Sequence, residues 1–226
     1  MARGRRSGRR ARFRRELDLL KRPFPGGGGP GFAGSIAGGD HRPDRDHLVI
    51  QPAHSDAESV RRDIVVIGGS AGGLVALEAL LQQLDPALPA ALFAVLHQSS
   101  ASPGNTPTIL ARRSQLPIVT PTNGAPIRTG QVYVAPPNLH LFLQQDRVRL
   151  LRGPPENMQR PSIDTLFRSA AVSYGPRVVG VVLSGTLDDG TAGLEAIQTC
   201  GGLAVVQSPE EAAHPEMPCS ALAALA

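Results

Sequence analysis

The 226-residue chain has no tryptophan, two cysteines and a single lysine, Lys21. Each scarcity removes a class of chemistry. Cys200 and Cys219 stand apart, with no CxxC and no metal-ligand spacing. They read as two thiols in a reducing compartment, and no metal site and no cofactor is expected. A GxxxxGK[ST] phosphate loop needs a lysine after its glycines, and Lys21 follows none. No apolar run approaches the roughly 18–20 residues of a membrane span. The opening MARGRRSGRRARFRR holds twin arginines, but ELDLLKRPFP follows. That stretch is too charged for the apolar core of an export signal, so a cytoplasmic location is expected.

What is abundant is unevenly placed. Residues 1–62 carry 14 Lys and Arg against 7 Asp and Glu, whereas residues 63–226 carry 9 against 12. The basic pI belongs to the amino-terminal arm, and a body of net charge −3 offers no basic face for nucleic acid. Within the arm, an Arg-rich stretch gives way to PFPGGGGPGFAGSIAGGD. Such a Gly/Pro run sustains neither helix nor strand, and the segment buries too little apolar surface to offset the entropy of ordering. Residues 1–62 are therefore expected to be a disordered basic arm, with FRRELDLLKR (13–22) as its one amphipathic stretch.

From Asp63 onward, short apolar runs alternate with helical stretches. IVVIG (64–68), ALFAVLH (91–97), PIVTP (117–121), QVYVAP (131–136), RVVGVVLSG (177–185) and GLAVVQ (202–207) read as strands. Helices are expected near 72–84, 104–114, 162–175 and 190–200. LHLFLQQDRVRLL (139–151) reads as a hairpin turning at Gln145-Asp146. Gly175 suits a helix C-cap. The alternation predicts an α/β fold: a doubly wound, mainly parallel sheet with helices on both faces, three-layered and Rossmann-like, with an antiparallel hairpin at one edge.

In such a sheet, reactive groups gather beyond the carboxyl ends of the strands. The first strand ends at Ser70, the second at His97, and the strand 177–185 runs into Thr186, Asp188 and Asp189. Serine, histidine and acid at one edge are the nucleophile, base and orienting group of serine hydrolysis. Ser70 sits in Gly68-Gly69-Ser70-Ala71-Gly72, a G-x-S-x-G pattern between strand and helix. The N–H of Ala71, next after the serine, is the natural first oxyanion donor. A dinucleotide turn would place glycine at Ser70 and an acid at the end of the second strand, where His97 stands. Of the two aspartates, one orients the histidine or both cap the helix that follows.

These residues lie in motifs that extend the pattern: IGGSAGG (67–73), LH (96–97), GQVYVAPPNLH (130–140), RPSIDTLF (160–167), GVVLSGTLDDGTAGL (180–194) and EMP (216–218). From Asp63 to Ala226 the chain resembles the catalytic domain of the CheB-type protein-glutamate methylesterases of bacterial chemotaxis, in a stand-alone form. The resemblance implies a triad of Ser70, His97 and Asp189, with Thr186 as second oxyanion donor. It implies hydrolysis of γ-glutamyl methyl esters on methylated chemoreceptors, with glutamine deamidation as a side activity. His140 recurs in the resemblance and reads as structural.

Departures accompany the likeness. Residues 1–62 are too short and too polar for a receiver domain, so phosphorelay control in the same chain is not expected, and a regulator would act in trans. Gly185-Thr186-Leu187 stands where better-known members have Gly-Met-Gly, and Gln98-Ser99-Ser100 replaces the prolines after the histidine. The chain ends about ten residues after EMP, sooner than the closing helix of the resemblance implies. Hydrolysis of another small ester, or a catalytically silent signalling adaptor, are the competing readings of the same residues.

Overall fold

The structure, a computed structural model, describes residues 60–98 and 104–226. The basic arm lies outside the described residues, except for Val60, Arg61 and Arg62. The main elements are β1 (Ile64–Gly69), α1 (Gly73–Leu81), β2 (Ala91–Leu96), α2 (Thr106–Ala111), β3 (Ile118–Val119) and β4 (Gln131–Val134). Then follow β5 (His140–Gln144), β6 (Arg147–Leu151), α3 (Ile163–Tyr174), β7 (Val178–Val182), α4 (Thr191–Thr199), β8 (Leu203–Val206) and α5 (Glu216–Ala224). Helices expected near 72–84 and 104–114 are shorter than their apolar periodicity suggests. The residues beyond Leu81 and Ala111 form turns instead.

Six strands form a sheet in the order β3-β4-β2-β1-β7-β8, with every pairing parallel. All six residues of β1 are buried, which is why this strand reads as a continuous apolar run and not as an alternation. Its side chains divide between two cores. Ile64 and Val66 pack with Ile163, Leu166 and Phe167 of α3, Leu194 and Ile197 of α4, and Met217 of α5. Val65 and Ile67 face Leu77 and Leu81 of α1 and Leu110 of α2. The chain proceeds from β1 to β2 on one side and returns to place β7 on the other. In doubly wound sheets such a reversal, here between β1 and β7, is where binding groups gather beyond the carboxyl ends of the strands.

The hairpin forms where expected, as a separate two-stranded sheet. Gln145 and Asp146 both take left-handed φ, 50° and 58°, the twist a two-residue hairpin turn needs. It leans on α3: Leu143 N–H donates to Ser169 Oγ at 3.1 Å, and Ser173 Oγ donates to Leu143 O at 2.8 Å. At the amino-terminal ends of the central strands, the Arg177 guanidinium grips the buried Asp63 carboxylate at 2.8 and 3.1 Å, clamping the start of β1 to the start of β7.

Gly180 interrupts the β-branched run of β7 for a steric reason. A Cβ there would lie 2.6 Å from Ile197 Cδ1 and 2.7 Å from Leu194 Cδ1. Helix α4 rests directly on that gap. Gly180→Val should therefore destabilise the fold by about 1–3 kcal/mol, the cost of overpacking. An unchanged urea midpoint would show that α4 can retreat freely from β7.

Candidate active site

Strand register places Ser70 and His97 at neighbouring strand ends, with no hydrogen bond between their side chains among the described residues. Gly69 pairs with Leu96 in the parallel ladder, and each residue of interest is the next one along. His97 N–H still donates to Gly69 O at 3.0 Å, so Ser70 and His97 leave adjacent strands side by side, about 4.8 Å apart in the ladder direction. The serine turn is tightly held: Ser70 N–H donates to Ser184 O (3.0 Å) and Gly73 N–H to Ser70 O (2.9 Å). Gly72 completes it at φ 76°, a left-handed conformation natural to glycine, and α1 begins at the next residue.

The turn after β7 closes on the serine from the other side. A Cβ on Gly185 would lie 2.9 Å from Ser70 Cβ, so this glycine allows the two backbones to approach. Ser184 ties the turns together. Its hydroxyl donates to Ala71 O at 2.8 Å and accepts from His214 N–H at 3.0 Å. The N–H groups of Gly185 and Leu187 are spent on His214 O (3.0 Å) and Glu216 Oε2 (3.3 Å). The N–H groups of Ala71 and Thr186 have no partner among the described residues. The Ala71 N–H follows Ser70 in the chain, and the Thr186 N–H follows Gly185, the glycine that closes on Ser70.

The structure separates the surroundings of the two aspartates. Asp188 is exposed, and among the described residues its side chain caps no helix. Asp189 is 2% exposed and receives five hydrogen bonds. His97 Nε2 (2.8 Å) and Ile163 N–H (2.8 Å) reach Oδ2. Asn157 Nδ2 (2.9 Å), Ser162 Oγ (3.0 Å) and Asp164 N–H (3.0 Å) reach Oδ1. Two of these donors are the free N–H groups at the start of α3, so Asp189 caps that helix from 25 residues away. Asp164 returns the arrangement: its Oδ1 accepts Gly190 N–H (3.0 Å) and Gly193 N–H (2.7 Å) at the start of α4. Asp164 in the first turn of α3 thus caps α4, and Asp189 in the loop just before α4 caps α3.

Burial pushes the Asp189 carboxyl up, but the hydrogen bonds from His97, Ile163, Asn157 and Asp164 outweigh it and hold the group below the usual carboxylate range. Asp164 is pushed above that range, first by burial and further by the Asp189 charge, despite the Gly193 N–H. An ionised Asp189 only accepts, so His97 Nε2 carries the proton between them. Nδ1 is the ring nitrogen left over.

Sequence reasoning missed Asn157, Ser162 and the capping exchange. The signal was present in RPSIDTLF, with Ser162 and Asp164 in N-terminal helix positions, but a cap supplied from another loop leaves no mark on local spacing. His140 is buried at 4% exposure, with Nε2 against Pro154 O at 2.8 Å and Ser162 N–H donating to Nδ1 at 3.3 Å. Both ring nitrogens have partners, with Thr165 Oγ1 also 3.5 Å from Nδ1. Among the described residues, no group of three or more His, Cys, Asp or Glu side chains is placed to hold a metal ion, and no helix is long and apolar enough to cross a membrane.

The family model described as CheB methylesterase matches residues 65–226. The chain belongs to the CheB methylesterase family. A Leptospira interrogans protein is 39% identical over 163 residues, 72% of this chain and 84% of its own length. An Anaeromyxobacter dehalogenans protein named protein-glutamate methylesterase/protein-glutamine glutaminase 2 is 40% identical over 67% of this chain and 44% of its own. The crystal structure of the Thermotoga maritima CheB methylesterase catalytic domain superposes with a TM-score of 0.68 at 29% identity, covering 73% of this chain and 89% of that one. The six-stranded parallel sheet and its small antiparallel pair are thus the fold of a CheB catalytic domain.

In this CheB family member the two buried carboxylates have opposite pH signatures. Asp189, depressed in the folded state, contributes stability that is fully present above its ordinary value of about 3.9 and is lost as pH falls through the folded value. Asp164, raised in the folded state, contributes stability present below its ordinary value and lost as pH rises through the raised one. Asp189→Asn should therefore flatten the acid-side loss of stability, and Asp164→Asn should remove a decline on the rising side. Exposed Asp188→Asn should stay within about 0.5 kcal/mol of wild type. Urea midpoints measured across the acid range test all three; indistinguishable profiles for Asp164→Asn and Asp189→Asn would contradict the opposed shifts.

Proposed function

We propose that residues 63–226 form the catalytic unit of a serine-type methylesterase that removes methyl esters from glutamate side chains of chemoreceptors, with glutamine deamidation at the same site. The observation that carries this reading is the His97–Asp189 contact at 2.8 Å, at the strand end adjoining Ser70 and two unpaired backbone N–H groups. The relatives' names, protein-glutamate methylesterase/protein-glutamine glutaminase, supply the substrate class.

The proposed chemistry follows from the hydrogen bonds. Asp189 holds Nε2–H, which fixes the tautomer and leaves Nδ1 to take the proton of Ser70. This is the reverse of the common assignment in Ser-His-Asp triads, where Nδ1–H faces the acid. Ser70 Oγ attacks the ester carbonyl, and the developing oxyanion is received by the N–H groups of Ala71 and Thr186. The imidazolium, stabilised by Asp189, then returns its proton to the methoxide as methanol leaves. Water, deprotonated by the same nitrogen, cleaves the acyl-enzyme to release the glutamate carboxylate and Ser70. An amide substrate passes through the same steps with ammonia as leaving group.

Ser70→Ala, Ser70→Thr and His97→Ala should each lower methanol release from methylated receptor by about 10³-fold or more. Labelling by a fluorophosphonate, in which Ser70 Oγ displaces fluoride and its proton passes through His97, should disappear in Ser70→Ala and His97→Ala. Asp189→Asn should fall far below wild type, with Asp188→Asn close to it. Full turnover by Ser70→Ala would sink the assignment. Labelling without methanol release would keep the serine chemistry and redirect the search to another ester.

A further inference from the structure

We infer that Asn157 is a positioning residue for the proposed triad, a side-chain amide that holds the Asp189 and Asp164 carboxylates in register and so sets how His97 is held. The inference rests on the serine-hydrolase reading of Ser70, His97 and Asp189, and adds a residue to it. Asn157 Nδ2 donates to Asp164 Oδ2 at 2.8 Å and to Asp189 Oδ1 at 2.9 Å. An amide nitrogen has two hydrogens, and here each is spent on a different carboxylate. Among the described residues, no other side chain donates to both acids. The Asp164 backbone N–H also reaches Asp189, but it has a single hydrogen and is fixed by the helix start.

The backbone at this position supports a selected geometry. Asn157 takes φ 50°, a left-handed conformation that asparagine tolerates better than most residues. Neighbouring Met158, at φ 59°, is 79% exposed. The loop thus spends two left-handed residues on turning one amide inward, while the adjacent side chain packs on little. Glu156 anchors the other flank, paired with Arg168 and accepting Thr165 Oγ1 at 2.9 Å.

The groups that face Asp189 fix the direction of the effect. His97 approaches from the end of β2, Asp164 from α3 with Arg168 paired to it, and Glu156 from the loop before α3, with Asp188 adjacent in sequence. A donor shared between two like charges lowers the repulsion between them. Without it, Asp189 becomes a more basic and less well-aimed acceptor. The imidazolium is then favoured, and the unprotonated base needed to activate Ser70 appears only at higher pH.

The test uses the whole chain and the rate of fluorophosphonate labelling as a function of pH, with thermal melting measured alongside. Asn157→Gly keeps access to the left-handed backbone and removes only the amide; Asn157→Asp keeps the shape and replaces the donor with a third carboxylate. Both should label about 10-fold more slowly at the acid end, as expected for losing a hydrogen bond to a charged group, and the acid limb should move to higher pH. Asn157→Asp should move it further. At the alkaline plateau, Asn157→Gly should approach the wild-type rate. A wild-type pH profile in both variants overturns the inference while leaving the serine reading intact. A loss equal at every pH also overturns it, because that is what a purely structural role produces. Wild-type protein that does not label overturns the serine reading, and this inference with it.

Discussion

The Asp189 carboxylate is the contact on which the rest of the site hangs. It is buried, ionised and surrounded by five donors from the end of β2, the loop before α3 and the first turn of α3. A buried charge is costly unless every lone pair is engaged. Here the engagement is what fastens three separate segments to one point. The start of α3, which has no side-chain cap of its own, obtains its acceptor from Asp189. The orientation of His97 and the path of the loop between β7 and α4 follow from the same contact.

The reciprocal contact through Asp164 makes the arrangement cooperative. Helices α3 and α4 each present a positive amino-terminal dipole; α4 receives the Asp164 carboxylate of α3, and α3 receives the Asp189 carboxylate from the loop leading into α4. The helices can approach closely because glycine stands where they touch. A Cβ on Gly193 would lie 2.5 Å from Phe167 Cβ, and one on Gly190 would lie 2.8 Å from Ile163 Cγ2. Displacing either helix uncovers two buried acids at once, a larger penalty than the loss of one cap.

The turn after β7 illustrates how a motif tolerates change. Leu187 occupies a left-handed conformation, φ 66°, with its side chain 54% exposed. For leucine this costs about 1–2 kcal/mol. The strain is held by flanking bonds: Met217 N–H to Gly185 O, Leu187 N–H to Glu216 Oε2 and Ser220 Oγ to Leu187 O. Helix α5 therefore maintains the backbone path that glycine would adopt unaided. Because the unpaired N–H of Thr186 is a backbone group, its aim depends on these anchors and not on the side chain at 186.

How far the fold and site were legible depends on whether the cause was local. The apolar run of Ile64–Ile67, the Gly-rich turn at Ser70, the left-handed pair Gln145-Asp146 and the β-branched strand at 178–182 all follow from nearest-neighbour sterics and burial. Motif order placed Ser70, His97 and Asp189 at strand ends, and parallel pairing then brings such ends to one edge. Spacing alone left Asp188 and Asp189 as equals. Only the tertiary structure separates them, by burying one carboxylate against the start of α3 and leaving the other in water. Asn157 and Ser162 were illegible for the same reason, since their partner lies 32 and 27 positions away. Sequence by itself determined which chemistry the strand ends carry, because side-chain type and strand periodicity are local properties. Which acid is held, by what, and in which charge state was decided by helix packing, because dipoles, desolvation and hydrogen-bond donors act through space.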